Sequence, residues 1–72
     1  MYQWYSIVLR KLLKVSFEKD KLKIALQKMS KIMKSDDVPK HITDLIDIGI
    51  NEIEYHDHEV YIKNAIKELR KI

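Results

Sequence analysis

The spacing of apolar residues changes at Phe17, and that change limits the folds open to this chain. Before it, in LLKVSF, Leu13, Val15 and Phe17 alternate with Leu12, Lys14 and Ser16. Such alternation is the period of a strand with two distinct faces. After it, Leu22, Ala25, Leu26, Met29, Ile32 and Met33 recur every three or four residues. That spacing makes one stripe of a helix. Ile42, Leu45, Ile46, Gly49, Ile50 and Ile53 repeat it in the next segment. The pattern predicts a short strand over Arg10 to Phe17, a helix from Glu18 to Lys34, a turn at SDDVPK, and a second helix from about Lys40 to Tyr55. A further seam of Ile62, Ala65, Ile66, Leu69 and Ile72 predicts a last helix from Val60 to Ile72. A helix of about 13 residues is marginal alone, so this one must dock on something.

The first nine residues, MYQWYSIVL, admit two readings. As an extended arm they continue the strand. As a helix they place Tyr5, Val8, Leu9, Leu12 and Leu13 on one stripe.

Local signals support the helical boundaries. Glu18 and Asp20 stand where the positive end of the first long helix favours acidic groups, and Ser16 or Asp20 is placed to cap it. Asp36 or Asp37 is placed to cap the next helix. Pro39 suits its first turn, where a missing N–H costs nothing. Gly49 is the only glycine in the chain and falls on the apolar stripe of that helix. A helix-interior glycine costs about 1 kcal/mol against alanine. The expected gain is a close crossing with another helix. His56 to Glu59 reads as a break, with Asp57 a fair cap for the last helix.

The chain of 72 residues reads as a single small domain, 1–72, with 46% hydrophobic and 35% charged residues. That balance suits a folded protein rather than a disordered one. There is no cysteine, which excludes disulfides and thiolate zinc sites. No apolar run approaches the roughly 18 residues of a membrane span, and no signal-peptide pattern opens the chain. The expectation is an intracellular, cytoplasmic protein. A core this small often closes by pairing with a second copy, so a homodimer is expected.

The charge is unevenly spread. Residues 1–34 carry nine Lys or Arg against two acidic residues, net +7, and residues 35–72 carry five against nine, net −4. A basic half of this kind points to a polyanionic partner, with a solvated lysine face as the plainer reading.

Catalytic patterns are missing. There is no glycine-rich phosphate loop, no nucleophile elbow, and no Ser or Cys partner for His41. Neither an enzyme nor a cofactor is expected. Glu52, His56 and Glu59 would share a face of a continuous helix, but solvated surface residues are the expected reading there rather than a metal site.

VSF before an amphipathic helix, then a turn, then ITDLIDIGI, resembles the ribbon-helix-helix DNA-binding proteins, the Arc, MetJ and CopG-like repressors. The resemblance covers about residues 10–55, with 1–9 as an arm and 58–72 as an extra C-terminal helix. It implies a mainly α homodimer whose two strands pair into an antiparallel ribbon and enter the major groove of double-stranded DNA. The chain would then be a transcriptional regulator. The outward residues of the ribbon would be Leu12, Lys14 and Ser16, with Arg10 at its edge. Lys14 would donate to guanine acceptors, Ser16 would serve either base type, and Leu12 would touch a thymine methyl. Lys40 and His41, at the start of the second helix, would lie against a phosphate. The chain departs from the usual pattern in its longer SDDVPKH turn, in the depth of Thr43 and Asp44 within the second helix, and in the added last helix. The rival reading is an all-α bundle of three or four helices that acts as a protein-binding inhibitor or adaptor without binding DNA.

Overall fold

A computed structural model describes residues 2–15 and 18–72. Four helices account for nearly all of it: α1 (Gln3–Lys14), α2 (Lys19–Ser35), α3 (Lys40–Asn51) and α4 (His58–Arg70), with a single 3₁₀ turn at Ile53–Tyr55. Among the described residues there is no strand.

The expected strand over Arg10 to Phe17 is therefore overturned for its described part. Arg10 to Lys14 are the last residues of α1, and Val15 ends the helix. Ser16 and Phe17 lie outside the described residues. With the strand goes the ribbon of the ribbon-helix-helix architecture. The observed chain matches the rival all-α bundle.

The physical reason is local. Leu12, Leu13, Arg10, Lys11 and Lys14 are all strong helix formers and weak strand formers, so alternation over a few residues competed with propensity and lost. The helical stripe also buries more. Tyr5 and Leu9 are buried, and Val8, Leu12 and Leu13 pack half-buried against the core.

The later helices begin and end close to their expected places. The α2 stripe of Leu22, Leu26, Met29 and Met33 is buried, as are Ile42, Ile46 and Ile50 of α3 and Ile62, Ala65, Ile66 and Leu69 of α4. The core fills the space between all four helices, with Leu9, Leu26, Met33, Ile42, Ile46 and Ile62 fully enclosed. The apolar seam of α4, expected to dock, packs into the chain's own core except at Ile72, which lies beyond the end of the helix at Arg70 and is exposed. Two boundaries differ. The second predicted helix does not run unbroken to Tyr55 but stops at Asn51, ahead of the 3₁₀ turn. Neither Asp36 nor Asp37 caps α3: Pro39 occupies that position, with no side-chain cap bond.

Asp36 and Asp37 instead close α2. Asp37 adopts a left-handed conformation (φ 56°). Its N–H donates to the Lys34 carbonyl, and the Val38 N–H donates to the Met33 carbonyl. This crossed pair of bonds is the Schellman closure, and buried Val38 and Met33 supply the apolar contact that accompanies it. His56 (φ 61°) repeats the device, with His56 N–H to the Ile53 carbonyl and Asp57 N–H to the Glu52 carbonyl.

Gly49 does sit at a helix crossing. A Cβ there would stand 2.9 Å from Ile62 Cδ1 and 3.5 Å from Tyr61 Cβ, so α4 presses directly on it. The α3–α4 contact is the most extensive in the molecule, followed by α1–α4 and α2–α3. α1 and α2 touch far less.

Candidate functional site

Three hydrogen bonds to two carboxylates place the helices relative to α2. On one edge of α2, Ser30 Oγ donates to Asp47 Oδ1 of α3 (2.6 Å) and Lys34 Nζ donates to Asp47 Oδ2 (2.8 Å). Burial alone would raise the Asp47 carboxyl. The hydrogen bonds from Lys34 and Ser30, with the Lys34 charge, outweigh it and hold the group below its ordinary value. At the C-terminal end of α2, Tyr5 Oη of α1 donates to Asp36 Oδ2 (2.7 Å). That bond, burial and the Asp36 charge push the Tyr5 phenol up to about 12. The Trp4 and Tyr5 rings meet edge-on at 5.2 Å.

These anchors orient the outer faces. Tyr5 shows which side of α1 carries α2. α4 lies along the other side, where Ser6, Arg10 and Leu13 line clefts with it. Trp4 and Val8 stand four residues apart on the α2 side of α1, turned away from α4, and Val15 follows in extended backbone where the helix ends. On α2, Ser30 and Lys34 mark the edge that meets α3. The opposite edge carries Ala25, Met29 and Ile32 and turns toward α1. Trp4 (57% exposed), Val15 (52%) and Ile32 (46%) are large apolar side chains left in solvent beside the α1–α2 seam, and Ile24 (52%) faces outward on α2, opposite its buried stripe. Lys11, Lys21, Lys28 and Lys31 are exposed on the same two helices.

The six residues expected to touch DNA fall in different places. Arg10 is exposed on α1 and lines a cleft against α4 with Arg70. Leu12 is half-buried against the core rather than turned outward. Lys14 is exposed at the last position of α1 and lines a groove with Arg10, Glu59 and Lys63. Ser16 lies outside the described residues. Lys40, exposed at the first position of α3, lines a separate hollow with Lys34, Asp37 and Thr43. His41 is exposed, with Nε2 3.6 Å from Glu68 Oε1 on α4. The fold thus brings Arg10 and Lys14 together, one turn apart on α1, and puts Lys40 and His41 on a different helix. The paired outward rows that a ribbon would present do not form.

Among the described residues, no group of three or more His, Asp or Glu could hold a metal ion. Glu59 bonds to Lys63 within α4 (3.0 Å) and is held below its ordinary value by that bond. Glu68 is held low in the same way by Lys71. Among the described residues no helix is long and apolar enough to cross a membrane.

The exposed stripe was not singled out in the sequence, although its signal was there. Ile24 stands off the buried stripe and among lysines, where a purely solvated face would carry polar residues, while Ile32, expected on the buried stripe, is left 46% exposed at its edge. No protein-family model, curated protein or solved structure matches the chain.

Proposed function

We propose that this protein is a small helical interaction module, an inhibitor or adaptor, that takes an acidic, amphipathic segment of a protein partner along the α1–α2 seam. The observation that carries this reading is the set of solvent-facing Trp4, Val15, Ile24 and Ile32 within the basic half of the chain. Contiguous exposed apolar surface rimmed by charge is a mark of interaction sites. An aromatic anchor with aliphatic neighbours supplies the desolvated centre, and the lysines supply a rim that favours an acidic occupant. The seam is also packed far less extensively than α3–α4, α1–α4 or α2–α3, so a partner helix there would complete it.

The same lysines would attract duplex DNA. A surface built for phosphates has no use for isoleucine and tryptophan at its centre, however, since backbone contacts are polar and charge-based. That difference favours a protein partner.

The test pairs two binding assays with one variant. A synthetic acidic amphipathic helix, of repeating Leu and Glu, and a generic DNA duplex are each titrated into wild type and into Ile24→Ser/Ile32→Ser. The expected result is peptide binding that the double variant loses while its circular dichroism and melting stay unchanged. Duplex binding that falls steeply with salt and ignores the double variant would overturn the reading in favour of a polyanion partner. Self-association abolished by the same substitutions would replace the foreign segment with a second copy.

A further inference from the structure

The chain has twelve lysines and only two arginines, and both arginines line one cleft. The cleft, about 260 Å³, lies between the first turns of α1 and the end of α4. Gln3, Ser6 and Ile7 line one wall with Arg10, and Leu69 lines the other with Arg70. Among the described residues neither arginine forms an ion pair with a side chain or with the Ile72 carboxylate. Ser6, which also lines the cleft, is a polar side chain only 4% exposed. We propose that this cleft binds an oxyanion, a phosphate or carboxylate group carried on a small molecule. The inference does not rest on the partner-binding seam, which lies on the other side of α1.

Guanidinium suits this task better than ammonium. It is planar, always charged, and offers paired N–H donors that match two oxygens of one anion. Lysines outnumber arginines everywhere else on the surface, so the pairing of both arginines at one cleft is selective rather than compositional. The start of α1 adds to the attraction. It has no acidic residue in its first turn and no side-chain cap bond, so its free N–H groups remain open at the Gln3 end. The positive end of α1 and the carbonyl end of α4 offset each other at about half a unit each, and the two guanidinium charges leave the cleft net positive even against the Ile72 carboxylate that also lines it. The apolar wall of Ile7 and Leu69 would accept a short hydrocarbon part beside the charged head. The volume is below the roughly 300–1,000 Å³ of drug-sized sites, so the ligand is small.

The test is an amide chemical-shift titration of the intact chain with inorganic phosphate and, separately, with acetate, at ionic strength fixed by sodium chloride. The expected result is saturable shifts confined to residues 3–10 and 69–72 with at least one of the two, and the tighter of them names the head group. Arg10→Gln/Arg70→Gln should weaken that binding at least tenfold, in line with the loss of charge-assisted hydrogen bonds. Arg10→Lys keeps the charge but not the paired donors and should fall in between. Lys28→Gln/Lys31→Gln should leave it unchanged. All four positions are exposed, and unchanged circular dichroism confirms that each variant is folded. The proposal fails if neither anion gives saturable shifts, if the shifts spread equally over the α2 lysines, or if the double arginine variant binds as wild type does.

Discussion

Helices α3 and α4 press together over the broadest contact in the molecule, with Gly49 of one against Ile62 of the other, in the half of the chain that carries net −4. Helices α1 and α2 touch over a much smaller contact and leave Trp4, Val15, Ile24 and Ile32 in solvent, in a half that carries net +7. The difference separates two uses of apolar residues. In the C-terminal pair most of them are consumed in holding the fold, although Ile48 of α3 and Val60 of α4 stay exposed. In the N-terminal pair part of the supply is left over. Surplus apolar surface beside a loosely closed seam is what a binding face requires, and a tightly closed crossing is what a stable frame for it requires.

The largest expected effect comes from filling the tight crossing. Gly49→Leu places a side chain where even a Cβ would sit 2.9 Å from the fully buried Ile62. Overpacking costs about 1–3 kcal/mol at one site, and here helix separation adds to it, so the loss should reach about 3 kcal/mol or more. Ala25→Leu is the matched substitution on the loose side. Ala25 is half-buried at the α1 edge of α2, and its enlargement should change stability by less than about 1 kcal/mol. Urea denaturation of both variants measures the contrast. Equal losses would erase the distinction between the two halves.

A smaller effect separates the halves in the native state without mutation. Amide exchange reports local opening, and segments with few packed contacts open first. The amides of α1 should exchange with an opening free energy about 2 kcal/mol below those of α3 and α4. Uniform protection across the four helices would mean that the slight α1–α2 contact has no energetic consequence.

The legibility of these features in the sequence follows the same division. The stripes of α2, α3 and α4 were readable because each spans several turns of one period, and Gly49 was readable because a lone glycine on an apolar stripe has few other uses. The strand over Arg10 to Phe17 was misread because five or six residues satisfy period two and period 3.6 together: Leu9, Leu12 and Leu13 fit the helix as well as Leu13 and Val15 fit the strand. Burial of Tyr5 and Leu9, which lie outside the alternating run, decided it. The resemblance to ribbon-helix-helix proteins rested on that misread segment. Of the residues it nominated, Arg10 lines a cleft, but with Arg70, sixty positions away, a pairing that no local spacing encodes.

Two carboxylate anchors, one tying α2 to each neighbour, should respond to pH in opposite directions. Asp47 is held below its ordinary value, so its contribution is complete above that value and is lost as acid protonates it on the way down to the folded value. Its side chain is 40% exposed, and after allowance for solvent screening Asp47→Asn should cost about 1 kcal/mol at neutral pH. The variant should also lose part of the wild type's acid sensitivity. Tyr5 is raised to about 12, so its contribution is complete below the ordinary phenol value of 10.0 and is lost as pH rises through 12. Tyr5→Phe should cost about 1 kcal/mol at pH 7 and progressively less relative to wild type in alkali. Melting temperatures of both variants from pH 3 to 11 check the signs. Parallel pH profiles for wild type and variant would remove the corresponding tie.

The smallest effect is a gain, and it samples both halves by the same device. Asp37 closes the basic half at the end of α2, and His56 closes the turn ahead of α4. Both hold left-handed backbone, at φ 56° and 61°, without being glycine. A side chain in that conformation costs about 1–2 kcal/mol, and glycine relieves it while adding about 0.5–1 kcal/mol of unfolded-chain entropy. Asp37→Gly and His56→Gly should each stabilise by about 0.5 kcal/mol. His56→Gly should gain more, because a short carboxylate enters this region more readily than an imidazole. The two sites lie beyond opposite ends of α3, so the double variant should show the sum of the single effects. A loss at Asp37 alone would mean that its side chain, exposed beside Lys34 and Lys40 in one hollow, steadies the α2–α3 turn in a way the backbone bonds do not.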